Sequence, residues 1–416
     1  MTRYFTIGRK LTHSYSKIIH REFGRYDFDL LEFEPEAARD FILSDRYDGI
    51  TITIPYKQLA LELCDSVSPE AARIGCVNTI VRDRQGRRHG YNTDYNGFLF
   101  MARAAGIDFT AAKVLILGSG GTSLTARTVV GDHGAREIVI VSREGKVNYR
   151  NLLELHADAE TIINTTPVGM YPNTTDCLLD LTPFRQLRGV LDVIYNPMRT
   201  RLTQQARNLG LAYGDGLKML VAQALYAMEY FLQEKQQEAL VHKVCAAVRS
   251  QTVNIVLVGM AGCGKSSIGR RVAQALQREF LDLDEAVVAE AGMSIPEIFA
   301  SEGEAGFRRR EKSAVAAAGK RSNLVIASGG GAILDSENRY NLAQNGFIYH
   351  ILREVDKLPV QAGRPLSTDR ERVRRMAAER EPLYRQIRDA AIDNNHGLEA
   401  AVATVIAAYH DNVMGL

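Results

Sequence analysis

The chain has 416 residues, 46% of them apolar and 24% charged, with 51 lysines and arginines against 49 acidic side chains. Its length exceeds one ordinary domain and sets an expectation of two or three, while its composition excludes disordered and fibrous classes. A net charge of +2 excludes a general attraction to nucleic acid or anionic membrane, so basic residues have to be read locally.

The first residues, MTRYFTIGRK, hold no apolar run that could act as a signal peptide, and nowhere do 18 uncharged apolar residues follow one another. A cytoplasmic location without membrane contact is therefore expected. Cys64, Cys76, Cys177, Cys245 and Cys263 form no Cys-x-x-Cys pair and no metal spacing, and read as free thiols of a reducing compartment.

Strand-length apolar runs alternate with helical patterns, the signature of an α/β protein with parallel sheets covered by helices. Strands are predicted at 49–54, 113–117, 137–141, 161–164 and 189–193, then at 254–258, 324–328 and 347–352. Between the two groups, from Lys218 to about Ala247, apolar residues such as Leu220, Ala224, Ala227, Phe231 and Leu240 recur at helical spacing. That helical stretch ends in Arg249, Ser250 and Gln251, which puts a domain boundary near residue 250 with a linker too short for a flexible tether. The expected organisation is a first lobe at 1–105, completed by 215–249, a second lobe at 106–214, and a further domain at 250–416.

In chain order, the first lobe carries THSYS with Ser14 and Ser16, TITIPYK with Thr53 and Lys57, GCVNT with Asn78, and YNTDYNG with Asn92 and Asp94. Taken one at a time these read equally as helix caps, turns or solvated loop residues. After the strand KVLIL comes GSGGTS, where Gly118, Ser119, Gly120, Gly121 and Thr122 form a strand-to-helix turn of the dinucleotide-binding type, with Ser123 at the third glycine of G-x-G-x-x-G. At the end of the next strand stand Ser142, Arg143 and Lys146, where an NAD site would carry a carboxylate; positive charge there favours the 2′-phosphate of NADP, opposed in part by Glu144. A solvated surface arginine is the alternative. INTTPVGM at 163–170, Tyr195, and GDGLKMLVAQA at 214–224, with Gly216 and Gln223, complete the set.

Together these strings resemble shikimate dehydrogenase from residue 1 to about 247. The resemblance implies a two-lobed enzyme with a Rossmann-like NADP lobe. Lys57 and Asp94 would be the polar pair beside the carbonyl that receives hydride, one of them passing the proton. Ser14 and Ser16 would bind the substrate carboxylate and Asn78 and Gln223 its ring hydroxyls, with Thr53, Asn92 and Tyr195 also on the substrate side and Gly216 on the cofactor side. Lys17 stands where the family has proline, Thr51 where it has asparagine and Tyr95 where it has glycine. Between Arg143 and the strand at Thr161 there are too few residues for the family's helix and extra strand together, so an abbreviated adenosine side is expected.

After the strand NIVLV, the string GMAGCGKSS fits G-x-x-x-x-G-K-S/T ahead of a helix. Gly259, Gly262, Cys263 and Gly264 would turn backbone N–H groups toward phosphates, Lys265 would reach the outer phosphates, and Ser266, followed by Ser267, would ligate magnesium. FLDLDEAV, GEAGFRRRE, ASGGGAI, AGRPL and EREPLY follow, and in this order they resemble shikimate kinase over 251–416. The resemblance implies a P-loop kinase using ATP with magnesium. Asp282 would help hold the metal through water, and Asp284 would accept the substrate hydroxyl's hydrogen bond as its base. Arg308 and Arg380 would clamp the carboxylate, Gly329, Gly330 and Gly331 would let the backbone approach the ring, and Arg364 would come from a lid to the transferred phosphoryl group. The segment LPVQAG ahead of Arg364 is shorter than in the family, so an unusual grip on the nucleotide is expected.

The two resemblances agree on chemistry: reduction of 3-dehydroshikimate to shikimate, then phosphorylation of the hydroxyl so formed. Expected partners are these small molecules, with no nucleic acid, and homo-oligomerisation is left open. Two alternatives stand beside this reading. One is a quinate or shikimate dehydrogenase using NAD, joined to a kinase for another polyol acid; the other is a non-catalytic shikimate sensor.

Overall fold

The computed structural model describes residues 3–11, 14–359 and 369–415. The chain divides into two compact units, Met1–Tyr195 with Thr200–Val248 and Asn196–Arg199 with Arg249–Leu416.

The first unit opens with β1 (Tyr4–Gly8), β2 (Phe28–Glu32), β3 (Gly49–Ile52), β4 (Ser66–Val67), β5 (Thr79–Arg82) and β6 (Arg88–Tyr91). They form one sheet in the order β2-β1-β3-β5-β6-β4, parallel from β2 to β3 and antiparallel on either side of β5. Ile7, Ile50, Ile52 and Ile80 pack against Phe41 and Tyr47, each fully or almost fully buried and each contributing about 1.5–3 kcal/mol by burial.

Helix Asp94–Ala104 leads to a second sheet of β7 (Lys113–Leu117), β8 (Glu137–Val141), β9 (Thr161–Asn164), β10 (Gly189–Asp192) and β11 (Ala212–Gly214). All pairs are parallel, in the order β11-β10-β9-β7-β8. Every residue of β7 is buried, because helices cover both faces, and this is why KVLIL reads as an unbroken apolar run rather than an alternation. The chain steps to opposite sides of β7 to make β8 and β9, so the switch point where such sheets bind ligands lies at the carboxyl ends of β7 and β9. Between β8 and β9 the structure has one short helix, Leu152–His156, and no further strand.

The helical stretch expected from Lys218 to about Ala247 is two helices, Gly216–Leu232 and Ala239–Thr252. Gln233 ends the first in a left-handed conformation, φ 53°. Both helices bury a face in one core with Phe100, Leu225, Met228, Val241, Val244 and Val248, so the apolar period runs on across the break. The second helix runs to Thr252, one residue past the expected end at Arg249, Ser250 and Gln251. Helix Gly216–Leu232 lies close along Asp94–Ala104, and Gly97 permits it: a Cβ there would meet the Met219 carbonyl oxygen at 2.8 Å.

The second unit is built on β12 (Asn254–Val258), β13 (Glu279–Asp282), β14 (Leu324–Ala327), β15 (Gly346–Leu352) and β16 (Ala390–Asp393). This sheet is parallel throughout, in the order β13-β14-β12-β15-β16, with β12 at its centre. Among the described residues no helix is long and apolar enough to cross a membrane. None of the five cysteines, all among the described residues, forms a disulfide.

Two candidate active sites

Strand pairing gathers the first site at one end of the first sheet. Parallel β1 and β3 send Ser14, Thr53 and Lys57 out of the same edge, and the antiparallel pairs Thr51 with Thr79 and Thr79 with Tyr91 bring Asn78, Asn92 and Asp94 to it. Lys57 and Asp94 are the first residues of helices Lys57–Leu63 and Asp94–Ala104. Lys57 Nζ donates to Asp94 Oδ2 at 2.5 Å, with side chains only 15% and 9% exposed. Burial pulls the Lys57 ammonium down, the charge and hydrogen bond of Asp94 pull it up, and the balance leaves its pKa raised. Lys57 thus stands as a charged donor held at a fixed place.

Around this pair, Asn92 Nδ2 donates to the Cys76 carbonyl at 3.0 Å and to Cys76 Sγ at 3.3 Å, while Asn92 Oδ1 is buried without a partner. Burial pushes the Cys76 thiol up, so it stays protonated. Asn78 accepts from the Thr93 N–H at 2.7 Å and donates to Thr93 Oγ1 at 3.1 Å, fixing the residue that starts the Asp94 helix. Ser14 Oγ donates to Ser16 Oγ at 3.1 Å and accepts from the Ser16 N–H, the first of helix Ser16–Phe23, at 3.2 Å. The Thr53 N–H bonds to the Ile7 carbonyl at 3.0 Å. Tyr195, beyond β10, packs its ring 5.1 Å from that of Tyr15. Gln223 lies against Gly97 and donates to the Leu220 carbonyl at 2.8 Å.

The dinucleotide turn follows β7. Gly118 has φ 106°, and a Cβ on it would lie 2.9 Å from both Thr165 Oγ1 and Thr166 Cγ2. Gly120 and Gly121 face open space at the start of helix Gly121–Asp132, flanked by Ser119 and Thr122, so the helix's first N–H groups are available to an anion. The turn after β8 closes on itself, with the Ser142 N–H bonded to the Val147 carbonyl at 3.3 Å. Arg143 and Lys146 are exposed there and make no ion pair among the described residues. At Gly216 a Cβ would collide with the Val193 carbonyl oxygen at 2.0 Å, so glycine is required for that helix to start where it does.

The second unit holds the other site in a cavity of about 710 Å³ beyond β12. Gly259, Gly262 and Gly264 have φ of 146°, 80° and 105°, which turns the loop through Cys263 into helix Lys265–Ala275. Lys265 Nζ donates to the carbonyls of Gly259 and Met260, both at 3.0 Å. Ser266 Oγ donates to Asp282 Oδ2 at 2.6 Å, and Ser267 also lines the cavity. Asp282 caps helix Leu283–Ala291 by accepting from the Asp284 N–H at 3.0 Å.

Across the cavity the three glycines after β14 admit charged side chains to van der Waals range. A Cβ on Gly329 would lie 2.5 Å from Glu311 Oε1 and 2.8 Å from Asp284 Oδ1, and one on Gly331 would lie 2.5 Å from Arg308 Nη2. A Cβ on Gly330 would lie 2.9 Å from the Ala261 nitrogen of the phosphate loop. Arg308 Nη1 donates to Glu311 Oε2 at 2.7 Å. Burial draws the Arg308 pKa down, but Glu311 and Glu304 raise it more. Arg380 Nη1 and the Tyr384 hydroxyl both donate to the Gly330 carbonyl, at 3.0 and 2.9 Å. His350 of β15 stacks on Tyr384 with ring centres 4.3 Å apart, and burial pushes its pKa down to about 4. Arg364 and most of the LPVQAG segment lie outside the described residues.

Glu311 and Tyr384 were not singled out in the sequence. Both sit one helical turn beyond a residue that was, at i+3 from Arg308 and i+4 from Arg380, and that spacing is the signal that could have found them.

A model of the shikimate dehydrogenase substrate binding domain matches residues 6–80, and a shikimate kinase model matches residues 261–410. A shikimate dehydrogenase (NADP(+)) of Clostridium perfringens is 34% identical over 250 residues, 55% of this chain and 92% of its own. A shikimate kinase of Bordetella pertussis is 42% identical over 155 residues, 36% of this chain and 74% of its own. The crystal structure of shikimate dehydrogenase 1 from Peptoclostridium difficile superposes with a TM-score of 0.54 and 32% identity, covering 59% of this chain and 96% of that one.

Proposed function

Because the chain belongs to the shikimate dehydrogenase family over its first part and to the shikimate kinase family over its last, we propose the following residue roles for its two reactions. The protein is a bifunctional shikimate-pathway enzyme: an NADP-linked oxidoreductase and an ATP-using kinase joined in one chain. What carries the residue assignment is that each unit assembles its own reactive group, the Lys57–Asp94 pair in one and Lys265 with the Ser266–Asp282 pair in the other, beside groups suited to a hydroxylated carboxylate.

In the first site, NADPH supplies a hydride to the carbonyl carbon of 3-dehydroshikimate. Lys57 donates the proton that the carbonyl oxygen needs as it becomes a hydroxyl, and Asp94 keeps the ammonium aimed and charged. Ser14 and Ser16 hold the substrate carboxylate, while Asn92, through its unpartnered Oδ1, Asn78 and Gln223 take ring hydroxyls, with Thr53 and Tyr195 completing the wall. Gly118, Ser119, Gly120, Gly121 and Thr122 take the cofactor's pyrophosphate, Ser142, Arg143 and Lys146 its 2′-phosphate, and Gly216 leaves room beside it.

In the second site, ATP supplies the phosphoryl group. Asp284 accepts the proton of the attacking shikimate hydroxyl, Arg308 and Arg380 hold the carboxylate, and Gly329, Gly330 and Gly331 carry backbone N–H groups up to the ring. The phosphate loop with Lys265 and Ser267 holds the nucleotide phosphates. Magnesium would bind the Ser266 hydroxyl oxygen and be held by Asp282 through water, both being hard oxygen donors that the fold brings within 2.6 Å of each other. The described residues contain no group of three or more His, Cys, Asp or Glu side chains that could cage a metal, in keeping with a cation that completes its shell from water and phosphate.

The test adds 3-dehydroshikimate and NADPH to the purified chain, follows loss of nicotinamide absorbance, then adds ATP with magnesium and measures shikimate 3-phosphate. Lys57→Ala removes the first signal and Lys265→Ala only the second. Shikimate binding without either signal overturns the assignment in favour of a sensor, and preference for NAD with quinate overturns the substrate and cofactor.

A further inference from the structure

Strand β10 ends on Asp192, whose side chain has no solvent exposure. An unpaired carboxylate at such depth is costly, and three donors converge on this one. Asn164 Nδ2 and the Ile194 N–H reach Oδ1 at 3.0 and 3.1 Å, and Thr200 Oγ1 reaches Oδ2 at 2.6 Å. Asn164, at the end of β9, accepts in turn from the Thr166 N–H at 3.0 Å and from Thr166 Oγ1 at 2.7 Å. Thr200 lies against Gly169, where a Cβ would sit 3.7 Å from its own. Asn164 Nδ2 also reaches the Val168 carbonyl at 3.4 Å, so loop 165–170 is tied through Asn164 and lies beside Thr200, the two side chains that Asp192 holds.

The same loop presses on the dinucleotide turn. Thr165 Oγ1 donates to the Leu117 carbonyl at 2.7 Å, and Thr165 and Thr166 fill the space a side chain on Gly118 would need. We propose that Asp192 is a positioning residue for the nicotinamide cofactor: through Asn164 and Thr200 it sets loop 165–170 against the Gly118 turn at the sheet's switch point. The proposal rests on the reading of 118–122 as the cofactor turn. A carboxylate accepts at both oxygens, whereas an amide keeps both ties only by donating its NH₂ to the Thr200 hydroxyl, which reverses that bond and removes its charge assistance. Burial pushes the Asp192 pKa up to about 6, with Asp215 adding to the shift. A neutral side chain would thus suit stability better, and positioning accounts for the charge.

The experiment uses the full chain and the variants Asp192→Asn, Thr200→Val and Thr200→Ser. It measures the NADPH dissociation constant by fluorescence, KM for 3-dehydroshikimate, Tm at pH 8, and kinase activity. Asp192→Asn is expected to weaken NADPH about threefold to tenfold, with KM for 3-dehydroshikimate within about twofold, Tm not lowered and kinase activity unchanged. Thr200→Val repeats the loss, and Thr200→Ser, which keeps the hydroxyl, restores the affinity. Dissociation constants within about twofold of wild type in both Asp192→Asn and Thr200→Val overturn the proposal, as does an equal loss in Thr200→Ser, or a loss in Asp192→Asn that only tracks a lowered Tm. Wild-type protein that fails to bind NADPH overturns the turn assignment itself, and this proposal with it.

Discussion

The chain contains two strand–glycine turn–helix motifs on parallel five-stranded sheets, one after β7 and one after β12, and they solve different problems. Residues 118–122 bring no cationic side chain to the turn; two glycines face open space and the helix N-terminus is the attraction. Residues 259–267 wrap three left-handed glycines around a lysine and add a hydroxyl bonded to a buried carboxylate. On the proposed roles, the first turn meets phosphate only as a handle for a cofactor that reacts elsewhere, and backbone dipoles would suffice. On the same proposal the second turn meets phosphate as the reacting group, where developing charge would call for a cation and for magnesium.

Separating the two reactions gives the largest expected effect. Lys265→Ala should lower kinase kcat roughly a hundredfold to a thousandfold while NADPH oxidation is unchanged, and Lys57→Ala should do the reverse, roughly a hundredfold to ten-thousandfold. A double assay on one preparation measures both. Removing magnesium with a chelator should likewise stop phosphoryl transfer and leave hydride transfer intact; a dehydrogenase that also stops would break the comparison.

Next in size is a pH effect in the dehydrogenase unit. Asp192 has its folded pKa raised to about 6 from an ordinary 3.8. Its contribution to stability is therefore fully present below about pH 4 and is lost as pH rises through about 6, a change of about 3 kcal/mol. Calorimetry of wild type and Asp192→Asn from pH 4 to 7 should show the variant gaining on wild type across that window. A constant difference would contradict a buried, neutral-favouring site.

Two glycine substitutions sharpen the contrast. Gly264→Ala forces a side chain onto φ 105° and within 2.5 Å of Asn394 Nδ2, which should cost about 1–2 kcal/mol and lower the kinase unit's Tm. Gly121→Ala meets nothing within 4 Å, so Tm should hold and only NADPH affinity should fall. The smallest effect is expected at Arg143→Ala, where an exposed charge should shift NADPH over NADH preference by about threefold, read from the ratio of kcat/KM values.

Strands buried on both faces were legible residue by residue. For 113–117, 161–164 and 254–258 the predicted and observed bounds coincide, because a buried apolar stretch has no other stable home in a sequence of this composition, and the edge strand 137–141 keeps the same agreement through its IVIV run. Half-exposed strands rich in acidic residues were not. β2 is FDLLE and β13 is EFLD, and each reads as polar until neighbours cover one side. Gln233 stops a helix that the apolar period carries straight on, since a left-handed residue leaves no mark in hydrophobic spacing.

By itself, the sequence determined the fold class and both families, through short strings in which backbone geometry or bond-making chemistry restricts the residue type. Tertiary structure alone decided which side chains hold those residues in place. Asn78 on Thr93, Tyr384 on the Gly330 carbonyl, and Asp192 on Asn164 and Thr200 are contacts that only packing brings together. Their physical basis is that a buried donor or acceptor must find its partner wherever the fold puts one, and sequence separation carries no trace of that choice.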